Sequence, residues 1–353
     1  MKGMAVLGAA SALPTIFVPE ARAAWARKTP VHPNVDNLRV VSVTDTAMTR
    51  QDSPGIPWER QEALVNSKVV WENLDRLACA LTRARNETDA WRTVFLKPPR
   101  KSWSDAVVAV KTNHIYYQHT RSAVMSRVCH VFTDILGVKG SNLHIYDACH
   151  GRSMDRDTRF KGLPEGVRIQ NTWGGSTTLT PIPEPWHRGR DEASCLRHLV
   201  NGTVDILVNI SMCKGHDSTF GGFTMTMKNH FGTFDPRYGH QREALEYLLA
   251  INLTREILGP MDQKTGKVLY PRQQLCIVDA LWSSKPGPGG NPSDQTNFLA
   301  MGVLSPVVDY QVATKFRAER MRWGLNPGVT RRMLTEFGYA EADLPEGGKL
   351  LEI

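Results

Sequence analysis

At 353 residues, 41% of them hydrophobic and 22% charged, the chain has the composition of an ordinary globular protein and the length to bury a large core, which excludes a disordered or fibrous polypeptide. Its net charge of +8 is not gathered into a basic block: the richest stretches, Lys97–Lys101 and Arg317–Arg322, are short, so no nucleic-acid partner is expected. A basic pocket for a small anionic molecule suits this charge better.

Residues 1–23 hold one basic residue near the start, Lys2, an apolar run from Met4 to Val18, and Ala21-Arg22-Ala23 as a cleavage site. This pattern predicts an export signal rather than a membrane helix, with a mature chain beginning near Ala24 in the periplasm or outside the cell. Lys2-Gly3-Met4 and the Ala-rich sequence after it are similar to the part of a twin-arginine signal that follows the arginine pair. Six cysteines are scattered with no C-x-x-C pair, so neither a zinc ribbon nor a ferredoxin-type cluster is expected; export allows one or more disulfides, and several of the cysteines, set in apolar strands or helices, are predicted to be small buried hydrophobes.

Beyond a loose lead-in, Leu38–Asp45 reads as a strand, Trp58–Arg85 as helical by its apolar period, and Asp89–Leu96 as a short helix stopped by Pro98-Pro99. Ala106–Asn113 is a second strand ending in Lys111, Asn113 and His114, followed by a helix over 120–136. A strand over 142–148 ends at Asp147, Cys149 and His150, and Val167–Trp173 is another. Glu192–Val200 is predicted as a helix, and His240–Leu258 as a long amphipathic one. Gln274–Trp282 and Phe298–Leu304 read as strands, Val307–Arg320 and Val329–Phe337 as terminal helices. Strands alternating with helices predict an α/β fold: one large domain with a mainly parallel sheet and helices on both faces. The segments divide as a leader (1–23), an N-terminal part (24–105), a core (106–315) and C-terminal helices (316–353).

The most informative stretch is 205–232. An apolar strand, Ile206 to Ile210, runs into Cys213, Lys214, Gly215 and His216; Gly221 and Gly222 let backbone approach a ligand; Phe223, Met227 and Phe231 then recur at helical spacing. On such a helix Lys228 reaches back toward Lys214 and His216, so that two ammonium groups and an imidazole surround one volume suited to phosphate or carboxylate. In parallel sheets ligands bind beyond the carboxyl ends of the strands, where Lys111, Asn113, Asp147, His150, Lys214, His216 and Asp279 are all expected.

Three chemistries follow. In an enzyme acting on an anionic substrate or cofactor, Lys111, Lys214 and Lys228 supply charge, His216 acts as acid or base and Asp279 orients it or binds metal; a desolvated lysine also serves as base or Schiff-base nucleophile. A metal site would draw on His114, Asp147, His150, His216 and Asp217, although no ligand spacing supports one. The third is a periplasmic protein that captures or delivers a cofactor or metal without turnover.

The blocks VAVKTN (108–113), SMCKGHDSTFGGFTMTMKNHFGTF (211–234) and IVDALWSSKPGPGG (277–290), with Ser-Pro-Val-Val-Asp ending at Asp309, resemble the domain of unknown function 362 family. The resemblance covers roughly residues 106–315. It implies recurring polar positions at Lys111, Asn113, Lys214, His216, Lys228, Asn229, Asp279 and Asp309, and brings no reaction with it. Many members carry a ferredoxin-like segment for an iron-sulfur cluster; the cysteine runs for one are missing here.

Overall fold

The computed structural model describes residues 31–51, 57–115, 118–147, 160–171, 177–186, 191–262, 264–287, 289, 292, 294–345 and 350–353. The expected leader (1–23), Cys149 and His150 lie outside the described residues.

The strands in chain order are β1 (Val41–Thr44), β2 (Val108–Lys111), β3 (His114–Ile115), β4 (Gln118–His119), β5 (Leu143–Asp147), β6 (Arg168–Asn171), β7 (Thr177–Pro181), β8 (Glu192–Leu196), β9 (Ile206–Gly215), β10 (Phe223–Thr224), β11 (Gln273–Ser284), β12 (Asp294–Gly302) and β13 (Leu351–Glu352). The α-helices are α1 (Trp58–Glu62), α2 (Ser67–Thr82), α3 (Glu87–Val94), α4 (Ser122–His130), α5 (Arg197–Val200), α6 (Thr226–Asn229), α7 (Ala244–Asn252), α8 (Arg255–Leu258), α9 (Ser305–Gln311) and α10 (Pro327–Thr335). Helices α4 and α9 each run on into π-type turns, Val131–Ile135 and Val312–Arg320.

The main sheet has the order β13-β1-β12-β11-β9-β2-β5-β6, with β10 folded back on the end of β9. Pairing is parallel throughout β11-β9-β2-β5-β6, while β12 runs against both of its neighbours. The fold is therefore α/β with a mostly parallel sheet. Strands β9 and β11 are buried along their whole lengths, as apolar sequences covered on both faces must be. One core joins Val108, Val110, Ile145, Ile206 and Val208 to α2, α3 and α4; the other, on the opposite face, joins Leu207, Val278 and Ala300 to α7, α9 and α10.

This winding places the site. From β2 the chain moves through α4 to β5 and β6 on one side; from β9 it moves through α7 and α8 to β11 on the other. The crossovers lie on opposite faces, as a constant crossover hand requires when the direction of travel reverses. Strand order thus switches between β2 and β9, and in open α/β sheets ligands bind beyond the carboxyl ends of the strands at such a point.

Two predicted helices fold otherwise. Glu192–Leu196 is a strand paired with β7, leaving one helical turn at Arg197–Val200. The expected helix carrying Phe223, Met227 and Phe231 is instead the short strand β10, the single turn α6 and a 3-10 turn at His230–Gly232. Helix 240–258 is divided into α7 and α8, and Asp279 sits inside β11 rather than near its end.

Candidate functional site

Lys111 closes β2, and its ammonium is held from three directions: Asp147 Oδ1 at 2.5 Å, the Thr112 carbonyl at 2.6 Å and Asn229 Oδ1 at 3.2 Å. Both members of the ion pair are buried, so Lys111 is neutralised in place and acts as a strut across the β2/β5 ends. The other Asp147 oxygen accepts the His114 backbone N–H at 2.5 Å. Above the pair lies Gly232, where an added Cβ would overlap Asp147 Oδ1 and stand 2.8 Å from Lys111 Nζ. Only glycine fits over this ion pair.

Lys214 is different. It lies within β9, is fully buried, and donates one hydrogen bond, to Asn113 Oδ1 at 2.7 Å. Among the described residues it has no carboxylate at ion-pair distance. Burial pushes its pKa down to about 7, against an upward pull from Asp147 that exceeds the further lowering by the Lys111 charge. Asn113 donates in turn to Asn229 Oδ1 at 3.2 Å, and Asn229 donates to Asn209 Oδ1 at 2.8 Å and to the Ile210 carbonyl. Three asparagines thereby tie β2, β9 and α6 together beneath the lysines. The network continues through Asn209 to the Thr226 carbonyl and to His230 and Gln273, where burial holds the His230 imidazole neutral with a pKa near 3.

Lys228 projects from α6 between two aromatic faces, 4.6 Å from the Phe220 centroid and 4.3 Å from that of Phe231. It is half-buried, and among the described residues its ammonium has no hydrogen-bond acceptor. Desolvation and then the Lys214 charge draw its pKa down to about 7, with Asp217 opposing. The ring faces favour the ammonium by roughly 0.5–1 kcal/mol each and move the balance point upward from there. His216 also packs against Phe220, edge to face at 5.0 Å, with Nδ1 2.8 Å from Asp217 Oδ2. Burial beside Lys228 lowers its pKa to about 4, so at neutral pH it is an uncharged imidazole.

Helix α6 is a single turn and needs anchoring. Asp309, from α9, accepts from Thr226 N at 2.8 Å, Thr226 Oγ1 at 2.5 Å and Met227 N at 2.9 Å. It caps the turn that presents Lys228 and Asn229. Gly221 and Gly222 have φ of +82° and +90°, and the Gly222 carbonyl accepts from His216 N at 3.1 Å. Their place is in the reversal between β9 and β10, which returns the chain to present α6.

Lys111, Asn113, Asp147, Lys214, Lys228, Asn229 and His216 are thus brought to the switch point. Asp279 is not grouped with them: it is buried beside Arg121, accepts from Arg121 N at 2.7 Å, and belongs to a second polar cluster with Glu62 and Gln61 beneath Trp282. Burial raises the pKa of both acids there. The expected orientation of His216 by Asp279 is replaced by the contact with Asp217. As for metal, no three His, Cys, Asp or Glu side chains converge as ligands among the described residues, and the five described cysteines are free thiols. Among the described residues no helix is long and apolar enough to cross a membrane.

Sequence reasoning passed over Asn209, the aromatic clamp of Phe220 with Phe231, and Gly232. The first left a trace, an amide in the middle of an apolar strand. Comparison with family models, curated proteins and solved structures returned no match.

Proposed function

We propose that this chain binds a small anionic substrate or cofactor at the carboxyl ends of β2 and β9, and acts on it as an exported enzyme. One observation carries this reading: Lys214 is fully buried at the topological switch point with one side-chain acceptor, Asn113, and no carboxylate at ion-pair distance among the described residues, and it lies close enough to Lys228 for its charge to disfavour protonation there. A buried amine beside a half-buried one, with no carboxylate at ion-pair distance among the described residues, is costly in the free protein. An incoming phosphate or carboxylate supplies the missing charge. The Lys111–Asp147 pair and the three asparagines fix the floor, and the neutral His216 imidazole at the rim exchanges a proton with the bound molecule.

Export rests on the pattern of residues 1–23, and membership of the domain of unknown function 362 family on the sequence blocks given above. The binding test is calorimetric titration of purified protein with inorganic phosphate, pyrophosphate and small dicarboxylates, alongside Lys214→Met. At least one of these anions should bind wild type with a 1:1 stoichiometry, and Lys214→Met, still folded, should bind it at least about tenfold more weakly, the worth of ~1.4 kcal/mol. Equal affinity in the two proteins would remove Lys214 from the site.

A further inference from the structure

The placement of Lys228 has a chemical consequence beyond charge. An amine used only to bind an anion does best as a fully charged donor with its hydrogen bonds made. Lys228 instead sits between the faces of Phe220 and Phe231, without an acceptor among the described residues, on a turn capped from another helix by Asp309. The rings exclude water from its flanks, the cap sets its direction, and the residue as a whole keeps partial exposure. Lys111, by contrast, is locked by hydrogen bonds to Asp147, Thr112 and Asn229, and Lys214 already donates to Asn113 Oδ1.

We propose that Lys228 is a nucleophile that forms an imine with a small aldehyde or ketone carrying a carboxylate or phosphate, the anionic group being held by Lys214. This rests on the anion-binding reading above. The neutral amine adds to the carbonyl carbon to give a carbinolamine; a C=N bond then replaces C–O, and the carbonyl oxygen leaves as water with the two amine hydrogens. No external oxidant or reductant is needed. Burial and then neighbouring Lys214 draw the Lys228 pKa well below that of an ordinary lysine, so that the neutral amine needed for attack is present near neutral pH.

Reductive trapping tests this on the full chain. Wild type is incubated with limiting glyoxylate and sodium cyanoborohydride near neutral pH, and carboxymethyl-lysine is mapped by peptide mass spectrometry. The expected result is a predominant adduct at Lys228, forming at least about tenfold faster than at Lys68, whose side chain is 85% exposed. Lys228→Arg should lose that adduct while keeping the thermal unfolding profile of wild type. Labelling that favours Lys68, or that falls on Lys214, overturns the proposal even if phosphate or dicarboxylate binding persists. Trapping at Lys228 without binding of any anion would instead sink the anion-binding reading on which the choice of substrate class rests. Should the arginine variant fail to fold, the wild-type adduct map decides alone.

Discussion

Among single residues, Gly232 and Lys214 bear the sharpest consequences. Replacing Gly232 with alanine puts a methyl group onto the buried Lys111–Asp147 pair, so the pair must open or the turn must move. Gly232→Ala is expected to destabilise the fold by ~2–4 kcal/mol, measured as a lower denaturant midpoint at unchanged slope. For Lys214 the sign of the pH effect follows from its pKa of about 7 in the folded chain, against the ordinary 10.5 of an unfolded one. Between these values the unfolded chain holds a proton the folded chain has released, so stability rises with pH. Ligand-free wild type should therefore unfold at higher temperature as pH is raised from about 7 toward 9, and Lys214→Met should flatten that rise. Above 9 the trend reverses, because thiols ionise in the unfolded chain while buried Cys129 stays protonated up to about 12. A wild-type profile that falls between pH 7 and 9 would show that Lys214 is held as an ammonium.

At the scale of elements, the decisive piece is a single helical turn. Four residues of α6 cannot be stable by themselves, since nucleation costs more than one turn returns. Asp309 on α9 supplies the missing stabilisation, and Asn252 adds a donor to the Met227 carbonyl at 3.1 Å. Asp309→Ala leaves two backbone N–H groups without their acceptor. It should cost about 1–3 kcal/mol in stability, and weaken anion binding although Asp309 makes no contact with Lys228; intact binding in a destabilised variant would reduce Asp309 to a core residue. This segment also shows why local sequence misleads. Phe223, Met227 and Phe231 recur every four residues, yet Phe223 belongs to a strand paired with Gly215, and only the distant partners of β9 and α9 decide that. The same holds for Glu192–Leu196, read as helix by its neighbours and held as strand by pairing with β7. By contrast β2, β5, β9 and β11 were legible, because runs of Val, Ile and Leu covered on both faces admit few other structures.

For the whole molecule, the winding of the sheet converts scattered residues into one site. Lys111, Asn113, Lys214 and Asn229 are separated by as much as 118 positions in sequence, and a reversal of strand order between β2 and β9 brings them within hydrogen-bonding reach. Alternating strands and helices made the strand-end location predictable. The division of labour among three lysines was not, because it depends on which one finds a carboxylate: Asp147 reaches Lys111 only through the β2/β5 register. Asp279 was drawn to the same rim for the same reason, but side chains alternate along a strand, and it faces Arg121. Proton-linked calorimetry on the anion that binds tests the central claim most directly: the titration is repeated near pH 7 in buffers of different ionisation enthalpy. Because Lys214 and Lys228 are part-neutral in the free protein and charged around an anion, the account predicts net proton uptake on binding, reduced in Lys214→Met. Binding with no proton uptake, or with proton release, would contradict it.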